Sequence, residues 1–426
     1  MGTQEDKYQW QIGSPPPSLD EHSQTKHKIT TTYLKQYIDI YFQRVQIERL
    51  DLHLVDGFAG GGKYIDLHTG SMVDGSPFLA LKTLEEAIVR VNIERKKTRT
   101  INCNFYFVEK SLESTNYLTH EIKNSTFNSA LGSTIHCHNN EFHRSLPGII
   151  KQIIRKNPRT QRAIFLLDQY AYKDVPLNSV ASIFNELTDP EVILTFNYDS
   201  LQRYISNTQN MRTSMRNINL ESHIAWDRIQ EWKDTGHWHS LIQEQLAAAI
   251  KAASGAPHMT LFFISGKRGD SSPYWLVHLS KKYIARDVMM KIHWDHANDT
   301  MEFSHYLNEG FFQIGYRAYE TPGQSSFEFS DHKILSDETK KRCIDKLSTE
   351  IPKIIYDTSG PIIFSDLLDQ YGSLTPASSS EIKEALQTAI DQGEIEVRGC
   401  KGERRCKSTR INNKDTLTYK QSQLFI

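Results

Sequence analysis

Five short apolar runs recur through the first half of the chain, each followed by residues of helical character. They are LDLHLVD (50–56), NCNFYFVE (102–109), STIHCHN (133–139), AIFLLDQ (163–169) and EVILTFN (191–197). Strands that are apolar without alternation are buried on both faces, and a sheet achieves this when crossover helices cover each side. The segments between the runs predict helices at 76–91, 111–124, 144–156 and 176–187. Pro77 and Pro176 fall where a helix start tolerates proline, and Ser76 is a candidate cap. The expected fold class is therefore α/β, a doubly wound, mostly parallel, Rossmann-like sheet with ligands at the carboxyl ends of its strands.

At 426 residues the chain is long enough for more than one core. Residues 1–25 read as a polar, proline-bearing lead-in. Ile29, Tyr33, Tyr37, Ile40 and Tyr41 then set a helical stripe over 26–46. The α/β domain is expected over 26–335, with a helical insertion at about 205–256. Trp226, Trp232 and Trp238 of that insertion recur at a spacing that is not a helical face, which suits anchors of the inserted helices better than a base-stacking stripe. TLFFISG (260–266) and YWLVHLS (274–280) add two strands, and a helix expected over 281–297 would either separate from the sheet or cover its edge. Residues 336–426 change character: helix, turn, helix, then a β-ribbon around a basic turn, with Gly393 as a helix C-cap. This order is that of a winged helix.

Fifty Lys plus Arg against fifty-one Asp plus Glu leave no overall polyelectrolyte field, so nucleic-acid binding would depend on local patches. No run approaches the ~20 apolar residues that span a bilayer, and the N-terminus has no apolar signal core. A cytoplasmic location and no membrane association are expected. Five cysteines without paired spacing suit a reducing compartment, and no Cys/His cluster or HExxH predicts a metal.

The chemistry gathers at strand ends. Asp56, Phe58, Gly60 and Gly62 form D-x-F-x-G-x-G directly after the first strand, where glycines let backbone approach a ligand closely. A bare strand-to-helix turn would have the same look. The second strand, however, ends in Glu109, where α/β nucleotide sites place a ribose-binding carboxylate, and the fourth ends in LLDQYAY. Polar groups at three neighbouring strand ends favour a ligand, because each buried one needs a partner. Asp56 and Glu109 are 53 residues apart, and KYIDLHTGSMVDGSP intervenes before the crossover helix. A simple dinucleotide domain, with its acid about 20 residues on, is thereby disfavoured.

DGFAGGG resembles the D-P-F-x-G-x-G motif of S-adenosylmethionine-dependent amino-methyltransferases, and DQYAY resembles their D-P-P-Y motif. The blocks KHKITTTYLKQYI, VDGFAGGGKY, DGSPFLAL, FYFVEK, LLDQYAYKDVP and VILTFN, with the C-terminal winged-helix-like segment, resemble the bacterial three-Cys-motif partner protein family over nearly the whole chain. The resemblance implies a methyltransferase-like sheet, S-adenosyl-L-methionine as cofactor and a partner protein bearing a three-cysteine motif of iron–sulfur type. It places Asp56, Gly57, Phe58, Ala59, Gly60 and Gly62 along the methionine side of the cofactor, Glu109 on the ribose, and Asn140 or Glu141 toward the adenine. It assigns Asp168 and Tyr170 the catalytic roles of binding and stacking on a target base. Gln169 stands where the motif has its first proline, Ala171 follows Tyr170, and Gly57 stands where many relatives have proline.

Lys173, Arg203, Arg404, Arg405 and Lys407 are candidate phosphate contacts, although loop cations are more often simply solvated. The helix SSSEIKEALQTAIDQGE is net acidic, which argues against simple major-groove reading. Three functions follow: methyl transfer to an amine or similar nucleophile on nucleic acid; a non-catalytic nucleotide-binding partner of the three-cysteine protein; and a metal-dependent nuclease built on Asp56, Glu109 and Asp168.

Overall fold

A computed structural model describes residues 8–169, 172–197, 201, 204–234, 238–266, 274–299, 303–306, 337–358 and 360–420. In chain order its strands are β1 (Ser18–Leu19), β2 (Arg49–Asp56), β3 (Lys63–Asp66), β4 (Met72–Asp74), β5 (Thr100–Glu109), β6 (Ile135–Asn139), β7 (Arg162–Leu167), β8 (Asp189–Phe196), β9 (His258–Gly266), β10 (Tyr274–Ser280), β11 (Phe303–Tyr306), β12 (Ile362–Ile363), β13 (Ile395–Arg398) and β14 (Thr416–Tyr419).

Eight of these strands form one sheet in the order β6-β5-β2-β7-β8-β10-β9-β11. The pairs from β6 to β8 are parallel, while β10 runs antiparallel between β8 and β9. This is the doubly wound, mostly parallel, Rossmann-like sheet expected from the sequence. The chain leaves β2 toward β5 and β6, then returns to β7 on the other side. The winding reverses between β2 and β7, and the crevice at their carboxyl ends is where such sheets hold ligands.

Both faces are covered because the crossover helices are amphipathic. In Phe142–Lys156, the residues Phe142, Leu146, Ile149, Ile150 and Ile153 fall on one face and are buried with Val55, Phe165 and Leu194. Each such side chain contributes roughly 1.5–3 kcal/mol on burial. The opposite face takes the helices Glu21–Tyr41, Ser76–Arg90 and Tyr283–Asp299, through residues such as Ile29, Phe78 and Met289. Glu21–Tyr41 is also fixed by polar atoms. Its Tyr33 hydroxyl donates to the buried Glu191 carboxylate, which also meets His278 Nε2 at 3.2 Å.

Several boundaries differ from expectation. The first helix starts at Glu21 rather than 26, because the Asp20 side chain caps it by accepting from Ser23 N at 2.7 Å. The cap before Pro77 is Gly75, with Ser76 the first helical residue. Pro176 is itself the cap of Leu177–Glu186. The stretch between the glycine turn and the crossover helix forms β3 and β4, which join β1 in a small separate sheet. The insertion holds helices Gln209–Asn217, Ile229–Lys233 and Trp238–Ser254, with Trp226 and Trp232 buried in the core.

The C-terminal module is a winged helix: helices Asp337–Asp357, Phe364–Tyr371 and Ser379–Asp391, with a β12-β14-β13 sheet. It packs on the helix Tyr283–Asp299. The buried Arg286 donates to Ala377 O at 2.5 Å and to Thr375 O, and Trp294 Nε1 donates to Pro376 O at 2.9 Å. Asp287 accepts from both Ser379 N and Ser379 Oγ at 2.6 Å.

Candidate functional site

The glycine turn begins where β2 ends. Asp56 is 2% exposed, and its Oδ1 accepts from Phe58 N at 3.1 Å, which closes the first bend. The Ser76 side chain and the Phe58 amide both favour the charged carboxylate. Burial, with the Asp168 and Glu109 carboxylates adding to it, pushes the Asp56 carboxyl up to about 7.

Main-chain bonds then stitch the turn across its neighbours. Gly57 N donates to Leu166 O on β7 at 2.9 Å, and Ala59 N donates to Val108 O on β5 at 3.0 Å. A proline at position 57 would lose the first of these. A Cβ there would also lie 2.7 Å from Leu167 and 2.9 Å from Phe142. Gly60 and Gly62 take φ of 57° and 77°, the left-handed region that glycine enters without strain.

Glu109 closes the arrangement from β5. One carboxylate oxygen accepts from Gly60 N at 3.0 Å and the other from Ser111 N at 2.9 Å. The end of one strand thus fixes the turn after another. Asn140 N donates to Glu109 O at 3.1 Å, so the end of β6 adjoins the same edge. Both Asn140 and Glu141 are exposed, and Glu141 pairs with Arg144 at 2.9 Å.

Asp168 follows β7. Both its oxygens lie 2.6 Å from Lys26 Nζ, yet the side chain remains 43% exposed. Gln169, in place of the motif's proline, is buried. Its Oε1 accepts from Val175 N at 2.9 Å, and its Nε2 has no partner among the described residues. At the end of β8, Asn197 Oδ1 is likewise without a partner. Tyr170 and Arg203 lie outside the described residues.

A strap formed by residues 8–20 borders the turn, in the stretch read from sequence as a polar lead-in. Trp10 is 6% exposed and donates from Nε1 to Lys63 O at 2.7 Å. Its indole lies against Gly60 and Gly61, where a Cβ at Gly60 would come within 2.8 Å of the ring and one at Gly61 would overlap it. Tyr8 stacks on Trp10 and donates to Asp20 at 2.7 Å, and Tyr64 meets both rings edge-on. The Tyr8, Tyr64 and Tyr274 phenols are held well above their ordinary range, chiefly by burial, with the Asp168 carboxylate adding in each case. Burial, then the Lys26 charge, brings His27 down to about 4, so its imidazole is neutral at pH 7.

The structure thus brings Asp56, Gly57, Phe58, Ala59, Gly60, Gly62 and Glu109 together. Asp168, after the neighbouring strand β7, is near enough for its charge to act on Asp56 and is held by Lys26, while Asn140 and Glu141 stay at the rim. Lys173, Arg404 and Lys407 are exposed, the last two on the wing, while Arg405 is held by Asp415 at 2.9 Å and Glu403 at 2.8 Å. Asp56, Glu109 and Asp168 do not form a cluster able to hold a metal ion, and no other group among the described residues does. No helix among the described residues is long and apolar enough to cross a membrane. Sequence reasoning missed Trp10, Lys26, Tyr64 and Asn197. Lys26, Tyr64 and Asn197 lie within the blocks KHKITTTYLKQYI, VDGFAGGGKY and VILTFN, whereas Trp10 lies in the stretch read as a lead-in.

Comparison with known proteins adds two observations. Residues 315–402 match the GMT-like wHTH domain, in agreement with the winged helix seen from 337 onward. The chain is similar to the methyltransferase yhhF from Escherichia coli, at 10% identity over 64% of this chain and 97% of that one, with a TM-score of 0.29. It is similar to an rRNA methylase from Streptococcus thermophilus at 8% identity, over 60% and 95% of the chains, with a TM-score of 0.28. It is also similar to a SAM-dependent methyltransferase from Agrobacterium tumefaciens at 10% identity, over 63% and 64%, with a TM-score of 0.30. No curated protein matches the chain. The fold assignment rests on strand order and direction rather than on these scores.

Proposed function

We propose that the chain binds S-adenosyl-L-methionine along the glycine turn and transfers its methyl group to a nucleophile, an amine of nucleic acid being the acceptor class. The carrying observation is Glu109, whose carboxylate holds the Gly60 amide at the carboxyl edge where the winding reverses. Each of its oxygens keeps a lone pair beyond the bonds from Gly60 and Ser111, enough to accept from ribose hydroxyls. The buried Asp56 carboxylate at the start of the turn suits the methionine end, and Trp10 packed on Gly60 walls that side of the turn. When bound, the cofactor supplies a methyl carbon on a sulfonium, which passes to the acceptor's lone pair.

The residues of the chain position rather than react. Asp168 remains open enough to accept a bond from an acceptor amine beside Lys26. Gln169, anchored through Val175 N, fixes the turn that the motif's proline would stiffen. Calorimetry with S-adenosylhomocysteine, followed by labelled-methyl transfer to DNA, RNA and protein with Asp168→Ala as control, tests the reading. Absence of affinity for both S-adenosylmethionine and S-adenosylhomocysteine would sink it.

A second reading draws on Lys26 and Trp10. Lys26 takes both Asp168 oxygens, and the Trp10 indole already lies on the turn. These favour a cofactor-binding but non-catalytic partner of a three-cysteine-motif protein. Tight binding of S-adenosylhomocysteine without transfer to any acceptor class distinguishes it.

A further inference from the structure

We infer that the winged module grips the phosphate backbone of nucleic acid through its wing and does not read bases through its recognition helix. The inference rests on the module's own geometry, not on methyl transfer. Helix-turn-helix proteins read base edges with the first residues of the second helix of the motif, here Ser379–Asp391. In this chain that end is already engaged. Ser379 N and Oγ both bond Asp287, a carboxylate sitting where a helix N-terminus would otherwise hold a phosphate. Glu381 is buried and paired with Lys340 at 2.8 Å, and the preceding residues 375–378 are buried against Arg286 and Trp294. What the helix exposes farther along is Ser380, Glu384, Thr388 and Asp391, and its one cation, Lys383, is half-buried over the Phe364 ring.

The wing is the opposite in charge. Residues 398–415 carry seven cationic side chains against two carboxylates. Both carboxylates, Glu403 and Asp415, are turned onto one guanidinium, Arg405. That leaves Lys401, Arg404, Lys407, Arg410 and Lys414 exposed, while Arg398 pairs with Glu396 at 2.6 Å. A tight hairpin brings Arg398 opposite Arg404, with Gly399 N donating to Glu403 O at 2.8 Å. Ser408 N and Cys406 O bond the Gln387 side chain at 2.7 and 3.2 Å, fixing the wing against the helix. Fixed cations with their own carboxylates neutralised internally suit a polyanion whose charges repeat, and such contacts carry no base information.

The test uses the full chain without cofactor and fluorescein-labelled 20-mers of two unrelated sequences, single-stranded and duplex, read by anisotropy across a salt series. The expected result is binding that falls steeply with salt and differs by less than about threefold between the sequences. Arg404→Glu/Lys407→Glu/Arg410→Glu lowers affinity at least about tenfold and flattens the salt slope. The neutral Arg404→Ala/Lys407→Ala/Arg410→Ala set shifts both in the same direction with the melting temperature unchanged. Glu384→Ala/Thr388→Ala leaves binding as it was. Absence of wild-type binding at low salt, wild-type affinity in both wing variants, or a sequence preference abolished by the helix pair would each overturn the inference. Because no cofactor is present, none of these outcomes bears on S-adenosylmethionine binding.

Discussion

Lys26 Nζ lies 2.6 Å from both carboxylate oxygens of Asp168, so a helix 142 residues earlier holds the acid that follows β7. The pair ties the first helix to the carboxyl end of β7, and it makes that helix part of the candidate site. Lys26→Met is expected to lower stability by only about 1 kcal/mol, since Asp168 is partly solvated. Methyl transfer should fall at least about tenfold through loss of positioning, with S-adenosylhomocysteine affinity little changed. Urea denaturation, calorimetry and the transfer assay read these separately. An unchanged transfer rate would make the pair purely structural.

Glu109→Gln leaves one acceptor oxygen where two now serve the Gly60 and Ser111 amides, and it removes the charge. A loss of about 1–2 kcal/mol in stability is expected from the broken charge-assisted bond. Calorimetric affinity for S-adenosylhomocysteine should fall about tenfold if the same oxygens also receive the ribose.

Asp56 sets a pH dependence. Its carboxyl is raised to about 7 in the fold, from an ordinary value near 3.8. The stability tied to its protonated form is therefore complete below about pH 4 and is lost as pH rises through about 7. Asp56→Asn abolishes that dependence. The stability of the variant relative to wild type should climb between pH 4 and 7, by on the order of 4 kcal/mol in all, then level off. A difference that stays flat over this window would contradict the raised value.

Gly57→Pro tests the turn against the motif it resembles. The substitution deletes the bond to Leu166 O and drives ring atoms into Leu167 and Phe142, at an expected cost of about 3 kcal/mol. Chemical denaturation measures it. Wild-type stability would mean that the backbone can take the proline-bearing path after all.

Arg286→Met leaves the carbonyls of Thr375 and Ala377 buried without their donor. The expected cost is about 3 kcal/mol. Calorimetric unfolding should then separate into two transitions, one for the large sheet and one for the winged module.

The sheet was legible in the sequence because its inner strands, buried on both faces, read as largely apolar runs, while the edge strand β6 is apolar only at Ile135 and Cys137. β2, β5, β6, β7 and β8 each begin and end within two residues of those runs. The first helix was misplaced because its opening turns, EHSQTK, carry no apolar stripe, and their start is set by the Asp20 cap alone. Gly75 became the cap in place of Ser76 because its N–H donates back to Gly62 O at 2.8 Å, a closure that no local pattern encodes. Within the site, Asp56 and Glu109 were visible because polar groups at three neighbouring strand ends coincide with a glycine turn, although one strand-end acid alone is common. Trp10 was not, since a lone indole in a polar stretch has meaning only against Gly60 and Gly61, some fifty residues later. Lys26 escaped for the same reason, its partner lying on a distant strand.

The contact between Arg286, Trp294 and the run Thr375–Pro376–Ala377 has an evolutionary corollary. What the helix side recognises there is a row of carbonyl oxygens, which any three amino acids offer if the main chain follows the same course. Drift in the side chains of 375–377 should leave those three hydrogen bonds intact as long as the path is kept, whereas Arg286 and Trp294 have no such latitude. Among relatives, residues 375–377 should therefore vary within what their burial and the Thr375 Oγ1 bond from Ala377 N allow, while Arg286 and Trp294 stay fixed. A winged helix transplanted from elsewhere would seat only if its own turn traced that path.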